Sequence, residues 1–523
     1  RLSYDDFNGL LDQIDPNTEY VPILFLCGLD ESFGKDTTNF ELESLLEYIC
    51  QTLLNLVKSL INREQSERFK LWIVTSSAHK DAPIQASLWG FGRTISSEHP
   101  EIWGGIIDIE DNKSDIFVDM ILKEIKNISG EEELSFTKKG GRYCPRLSTK
   151  MISQNKAKIE DDATYLITGG LGGLGLLITD WLIDNGAKHI VLTGRNDPKP
   201  HAENEIQKFK NKGASIYIEK ADVSDENIMA ELFSKISKEL PHLKGIIHAA
   251  GVLDDGMIAH QNWDRFKKVL NSKVIGAWNL HKLSKNIKLD YFVMFSSISA
   301  IIGSPGQSNY ALSNMFLDGL ANYRKTQGLP ATSINWGLWE KAGMIETLQF
   351  DLSLHGAIPI KQENGLLALE RILADPVTQI SVISCDWNKL AEKISNRKRK
   401  LFSNIIDKMV AIKNKENQEI EFVDKAKRAS HDERKKMILE FLSKTVSELI
   451  GIPNLTDYDL EEPLNLLGID SLVASVIRRR IKDNLDVEIP IVKLFEDINI
   501  KGLADIIGES LISDEETVIT GEI

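Results

Sequence analysis

The stretch ATYLITGGLGGLG, residues 163–175, constrains the fold more than any other part of the chain. An apolar, β-rich run stops at clustered glycines, and the residues that follow have helical spacing. Gly170, Gly172 and Gly175 form G-x-G-x-x-G. In a strand–turn–helix of this kind the first glycine allows the tight turn, the second lets the backbone approach a pyrophosphate, and the third permits close helix packing, with the helix N-terminus facing the anion. The motif alone is weak, but here it opens an alternating series. Strands are expected at 163–170, HIVLTGR (189–195), SIYIEKADV (215–223), GIIHAAG (245–251), DYFVMFSS (290–297) and ATSINWG (331–337), with helical segments between. Strands separated by helices imply a parallel, doubly wound sheet. The dinucleotide-binding residues are then Thr168, Gly170, Leu171, Gly172, Gly173, Leu174 and Gly175.

A second α/β pattern precedes this one. VPILFLCG (21–28), KLWIVTSS (70–77) and GGIIDIED (104–111) read as buried strands, and residues 39–64 have helical periodicity. No glycine-rich loop follows the first of these strands, so this half is expected to be structural and cofactor-free. Residues 396–430 are polar and basic and suit a linker or an exposed helix. From 431 the pattern is helical, with helices expected at 435–452, 472–485, 491–497 and 500–511. The expected boundaries are therefore 1–157 (structural α/β), 158–395 (dinucleotide-binding α/β), 396–430 (linker), 431–512 (all-α, four helices) and 513–523 (acidic tail).

Charge and cysteine usage narrow the function classes. The formal charge is 62 minus 77, or -15, and residues 431–523 hold 20 acidic and 10 basic side chains, so -10 of it is local. That balance argues against nucleic acid and gives no reason to expect an anionic membrane surface. An acidic helical module suits basic patches on several partner enzymes in turn. Cys27, Cys50, Cys144 and Cys385 form no C-x-x-C, which suggests neither a disulfide framework nor a zinc or other metal site, and fits a reducing cytoplasm. No apolar run approaches a membrane span and no signal peptide opens the chain. A chain opening on Arg1 is expected to be a segment of a longer polypeptide.

The strand ends carry the chemistry. Arg195 offers a cation to a 2′-phosphate, which favours NADPH over NADH, although Asp197 lies close in sequence. Asp222 and Val223 are placed to contact the adenine, and Ala249, Ala250 and Gly251 to put backbone near the nicotinamide ribose. Tyr310 and Asn314 are one turn apart on a helix and share a face, and Ser297 ends the strand thirteen residues before Tyr310. A phenol with pKa near 10 exchanges protons reluctantly at pH 7, so about 4 kcal/mol of tuning is useful, and the Lys273 ammonium is the candidate to supply it. Singly, each of these residues has an ordinary structural reading; their joint spacing points to a site.

TGGLGGLG, HAAGVLDDG, SKVIGAWNL, FSS, GQSNYALSN and INWGLW together resemble the ketoreductase domain of modular type I polyketide synthases, a branch of the short-chain dehydrogenase/reductase superfamily. Asn314 stands where the wider superfamily has its lysine, and Lys273 lies upstream, which resembles the exchanged positions of the polyketide branch. LWIVTSSA and QASLWGFGRTISSEHPEIWGGIIDIE resemble the structural subdomain that precedes the catalytic one. The resemblance implies Tyr310 as general acid, Ser297 as hydrogen-bond donor to the ketone, Lys273 as the group that lowers the tyrosine pKa and binds ribose, and Asn314 as support for a proton relay. Leu253-Asp254-Asp255, with Pro305 and Asn309, resembles the B-type fingerprint that orients substrate to give a D-configured β-hydroxyl. Ile302 stands where A-type enzymes have tryptophan, and Ser313 replaces a proline, which favours subtype B1.

Ser471 follows Asp470 at the mouth of an apolar helix, where Asp-Ser is first of all a cap. GIDSL also resembles the G-x-D-S-L attachment motif of acyl carrier proteins, which implies 4′-phosphopantetheine on Ser471. The implied partners are a β-ketoacyl thioester on that arm, ketosynthase and acyltransferase domains, and a phosphopantetheinyl transferase. The competing expectations are a carrier module with an inactive, scaffolding reductase-like half, and a free-standing dehydrogenase for small alcohols, which the carrier unit disfavours.

Overall fold

The computed structural model describes residues 2–29, 33–34, 36–111, 115–126, 130–152, 154–340, 356–393, 399–408, 425–426, 428–450, 455–464, 466–467, 469, 471–485, 487, 489, 493–494 and 498–513. Two compact units emerge, Arg1–Asn404 and Ile405–Ile523. The division falls inside the segment expected to be a linker. Part of that segment is folded: residues 399–408 are helical, and Leu401 O accepts a hydrogen bond from Leu147 N at 2.8 Å. Most of the remainder, including 409–424, lies outside the described residues.

The first unit holds two Rossmann-like α/β sheets. One has five strands in the order Val21–Phe25, Phe69–Ser76, Trp103–Ile109, Glu133–Phe136 and Arg142–Tyr143, parallel except for the last pair. The other has seven parallel strands in the order Gln379–Val382, Thr332–Trp336, Tyr291–Ser297, Leu243–His248, Thr164–Thr168, His189–Gly194 and Ser215–Lys220. Six of these seven match the sequence expectation. Gln379–Val382 is an addition, as are Glu133–Phe136 and Arg142–Tyr143 in the first sheet; all three are short and carry polar residues, so no long apolar run announces them. The direction of winding reverses between Thr164–Thr168 and Leu243–His248, and a crevice at the carboxyl ends of strands opens at such a switch point.

An extensive helix–helix contact joins the two halves of this unit. Helix Pro83–Glu98 of the first half lies against helix Ser308–Thr326 of the second, and it is buried from Pro83 to Ile95. The backbones approach so closely that a Cβ on Gly90 would sit 2.2 Å from the Ala311 carbonyl oxygen, and one on Gly319 would sit 2.8 Å from Pro83 Cα. Arg93 locks the contact: it forms a bidentate pair with Glu133 at 2.9 and 2.7 Å and donates to the Ala300 carbonyl at 2.7 Å.

The second unit is helical. His431–Ile450, Asp457–Glu461, Ser471–Leu485 and Ile500–Ser513 enclose a core that includes Ile438, Leu442, Val446, Ile477, Ile481, Leu503 and Ile507. Asp457–Glu461 is too short and polar to be expected from periodicity. The helix expected at 491–497 and the acidic tail lie almost entirely outside the described residues, as does Asp470. Among the described residues no helix is long and apolar enough to cross a membrane, no cluster suits a metal ion, and the four cysteines are free thiols.

Gly90→Ala is expected to force the Pro83–Glu98 helix off its partner and to cost about 1–3 kcal/mol, as overpacking does. Urea unfolding followed by tryptophan fluorescence measures it, and a midpoint equal to wild type would show that the helices separate freely.

Candidate active site

The glycine turn forms a cradle at the end of strand Thr164–Thr168. Gly172 precedes helix Gly173–Asp184, and Gly172 and Gly173 are exposed. A Cβ on Gly175 would lie 2.5 Å from the Gly169 carbonyl oxygen, which is the close packing expected of that position. The conformational demand falls elsewhere than expected. Gly169, with φ +70°, makes the turn, whereas Gly170 is required by crowding against Ile167 O and Leu192. Leu171 and Leu174 are half-buried, and Leu171 packs beside Gly194. The exposed backbone and the absence of room for side chains fit a dinucleotide pyrophosphate.

Around the cradle, Arg195 is exposed just past strand His189–Gly194. Asp197, the carboxylate that competes with it in sequence, pairs with Lys220 at 3.0 Å. Asp222 accepts from Ser224 N and Oγ at 3.0 and 2.7 Å, and the Val223 carbonyl accepts from Asn279 at 2.9 Å, so both hold their own loop in place. Ala249 N donates to Thr168 O at 3.1 Å, Ala250 borders Gly169, and a Cβ on Gly251 would meet Lys273 Cε at 3.0 Å.

Lys273 lies in a π-helical turn, Asn271–Ile275, inserted between helices Trp263–Leu270 and Gly276–Ser284. The side chain is 3% exposed; Nζ donates to the Phe295 carbonyl at 2.8 Å and lies 5.2 Å from the centroid of the Tyr310 ring. Burial pulls its pKa down to about 7, with the Asp318 carboxylate pushing the other way. Tyr310 and Asn314 occupy successive turns of helix Ser308–Thr326, and Asn314 Nδ2 donates to the Tyr310 carbonyl at 2.9 Å. Burial raises the Tyr310 phenol to about 12; nearby Asn314 and Ser297 pull it down and Asp255 pushes it up. The expected lowering by Lys273 is therefore not what these side chains produce by themselves. Desolvation of the phenol dominates, and the lysine sits over the ring with its ammonium engaged by a carbonyl.

Two buried residues that the sequence did not single out as side chains tie the parts together. His248 links Thr168 Oγ1 at 2.7 Å to the Lys273 carbonyl at 3.1 Å, and burial drops its pKa to about 3, leaving it neutral. Asp318 accepts from Ser333, Asn335 and Gln379, while Asn335 also donates to Ser296 Oγ at 2.9 Å and Ser296 donates to the Asn314 carbonyl at 3.1 Å. An acidic residue in the apolar run MFLDGLANY was the available signal for Asp318.

The fingerprint loop is tightly held. Leu253 is half-buried. Burial raises the Asp254 carboxyl, but Lys268 at 2.9 Å and Arg265 at 2.7 Å more than offset this and hold it below the ordinary range. Asp255 accepts from Gln307 at 3.0 Å, and Asn309, fully buried, donates to the Asp254 carbonyl at 2.9 Å. Asp254 thus fixes its loop, and Pro305 is exposed in the facing one.

A family profile described as KR domain matches residues 163–341, and one described as phosphopantetheine attachment site matches 440–507, which contains Ser471. The chain carries the ketoreductase and carrier domains of a polyketide synthase. A third profile, beta-ketoacyl synthase-like, N-terminal, matches 3–125. The 6-methylsalicylic acid synthase of Arthrobotrys oligospora is 30% identical over 469 residues, covering 84% of this chain and 26% of that protein. A phenolphthiocerol/phthiocerol polyketide synthase of Mycobacterium bovis is 29% identical over 446 residues, covering 83% and 29%. The chain therefore spans less than a third of the length of these relatives. Among solved structures, one of A-type ketoreductases from a modular polyketide synthase superposes with TM-score 0.69 at 28% identity, covering 77% of this chain and 86% of that one. The first ketoreductase of the tylosin synthase gives 0.66 at 27%, with the same coverage. The ketoreductase is of the short-chain dehydrogenase/reductase type, which implies a nicotinamide cofactor, and the carrier domain implies 4′-phosphopantetheine and a tethered acyl group.

The buried lysine of the ketoreductase has a thermodynamic consequence. Below about pH 7 it is protonated in both folded and unfolded states; between about 7 and the ordinary lysine value of 10.5 only the unfolded state keeps the proton, so stability rises with pH across that interval. Lys273→Met is expected to flatten this rise and to be more stable than wild type at pH 6, measured by urea unfolding without cofactor. Equal pH slopes would place the titration on another group.

Proposed function

We propose that this chain reduces a carrier-tethered β-ketoacyl thioester to the D-configured β-hydroxyacyl thioester with NADPH, in a B1-type ketoreductase whose substrate is held on Ser471. The assignment divides the chain into a structural subdomain (1–157), a catalytic subdomain (158–395), a linker (396–430) and a carrier domain (431–512). The observation that carries it is the arrangement of Tyr310, Asn314 and a buried Lys273 beside the glycine cradle, with Lys273 Nζ 5.2 Å from the Tyr310 ring.

When bound, NADPH supplies a hydride to the ketone carbon. The chain's own residues handle the oxygen. Ser297 donates a hydrogen bond to the ketone and Tyr310 gives its proton as negative charge develops there; a phenol near 12 is still a stronger acid than the aliphatic alcohol it creates. Lys273 is the group that holds the ribose, a role its closeness to Gly251 supports, and with Asn314 it returns a proton to the phenolate. Arg195, with Lys220 neutralising Asp197, supports a 2′-phosphate and hence NADPH. Leu253-Asp254-Asp255 and Ile302 favour D-configuration, although A-type enzymes are among the structural relatives. Ketosynthase and acyltransferase domains would supply the substrate and a phosphopantetheinyl transferase the arm. The free thiols support a reducing cytoplasm.

Tyr310→Phe is expected to lower kcat for NADPH-dependent reduction of a β-ketoacyl thioester by at least about a hundredfold. Retention of most of the rate would sink the acid assignment, an inactive wild type would support the scaffold reading, and an L-configured alcohol would overturn the B-type reading. For the carrier, a phosphopantetheinyl transferase with coenzyme A should add the arm's mass to wild type and not to Ser471→Ala. An equal gain in both moves the attachment elsewhere.

A further inference from the structure

Glu98 is the last residue of helix Pro83–Glu98, on the half of the first unit that holds no glycine cradle. Its carboxylate reaches across to two backbone amides beside the reductive site. Oε2 accepts from Ile258 N and Oε1 from Gly306 N, each at 2.8 Å. Ile258 follows the Leu253-Asp254-Asp255 loop, and Gly306 follows Pro305 in the loop that leads into the Tyr310 helix. Gly256 N donates to Gly306 O at 2.7 Å, so the two loops and the carboxylate close a ring of hydrogen bonds.

The position is unfavourable for a carboxylate taken by itself. It lies at the negative end of a helix dipole, and burial raises its pKa. Two convergent N–H donors explain its presence, because an ionised carboxylate offers two acceptor oxygens where an amide offers one acceptor and one donor. A second strut from the same half runs parallel: Lys58 donates to the Gln261 carbonyl at 2.7 Å, and Gln261 Nε2 donates to the Gly256 carbonyl at 2.8 Å. The clamped loops adjoin the reacting group. Gln307 and Asn309 flank the start of the Tyr310 helix and bond Asp255 and Asp254, and Asp255 bears on the Tyr310 phenol.

We propose that Glu98 is a specificity-determining positioning residue of the ketoreductase, whose two carboxylate oxygens set the spacing of loops 253–258 and 303–307 and so the face on which the β-ketoacyl chain meets Tyr310. The proposal rests on the reading that these loops orient the substrate. It makes the handedness of reduction depend on a residue of the cofactor-free half, outside the machinery that binds the dinucleotide or moves the proton.

Glu98→Gln and Glu98→Asp in the full chain test it, with a β-ketoacyl N-acetylcysteamine thioester as probe. Glu98→Gln is expected to raise KM about tenfold and to give a mixture of alcohol enantiomers, while the Kd for NADPH stays within about twofold of wild type. Glu98→Asp, which keeps both acceptors on a shorter reach, should fall between them. Wild-type KM and product ratio in Glu98→Gln overturn the proposal. So does a loss in which thermal stability and NADPH affinity fall together with activity while the product stays enantiopure, since that is a merely structural role. Should Glu98→Gln be insoluble, Glu98→Asp decides, and wild-type values there are fatal. A wild type that does not turn over at all removes the functional reading and this proposal with it; an active wild type beside an unaffected variant removes only the clamp.

Discussion

The helix that carries Tyr310 and Asn314 is held by a backbone-to-backbone contact that leaves no room for a side chain. Tyr310 and Asn314 protrude from Ser308–Thr326, and that helix lies against Pro83–Glu98 through Gly90 and Gly319, positions where any Cβ would collide with backbone. Contact at this range fixes rotation and translation together, because a helix that turned would drive its Cβ atoms into its neighbour. Arg93 adds a further tie through the Ala300 carbonyl to the short helix Ser299–Ile302 that follows Ser297. A half without a glycine cradle therefore supplies what the cradle-bearing half needs: a rigid base for groups whose positions must hold to a fraction of an ångström.

Electrostatics at the site work against stability. A lysine that is 3% exposed, with a carbonyl accepting from its ammonium, is costly to keep charged, and its pKa falls toward neutrality for that reason. The phenol beside it is desolvated too and rises. Chains selected for stability alone do not set a buried lysine beside a desolvated, half-buried phenol, and perturbed pKa values concentrated in one place mark a candidate functional site. Asp318 moderates the cost. It lies deeper, supports the Lys273 charge from a distance and is itself bound by Ser333, Asn335 and Gln379, so it reaches the site as a field and through the Ser296 contact to Asn314.

How much of this was legible depended on whether the signal was local. Buried parallel strands announce themselves as apolar runs, so the six expected strands were found, while Gln379–Val382, half-buried and partly polar, was not. The glycine motif revealed the cradle but not its mechanics, because G-x-G-x-x-G does not say that Gly169, outside the pattern, takes the left-handed turn. Tyr310 and Asn314 share a helix face by spacing alone. The burial of Lys273 depends on a π-helical turn that no periodicity foretells, and the raised phenol depends on what covers it. Glu98 and His248 were invisible as functional side chains since their partners are 150 or more residues away for Glu98 and up to 80 for His248.

A tethered substrate changes what such a site has to do. On the proposed function, the carrier arm raises the effective concentration of the ketone to about the millimolar range, so the reductase has little need of affinity for the chain it reduces. Binding energy is then free to be realised where the two faces of the ketone differ. Loops 253–258 and 303–307 suit this demand, since bonds from Arg265, Lys268, Asn309, Gln307 and Glu98 hold them from several sides. A site with weak contacts and firm walls discriminates by what it excludes. Loosening the walls then costs selectivity first, and the tether conceals the loss of affinity that a free substrate would report.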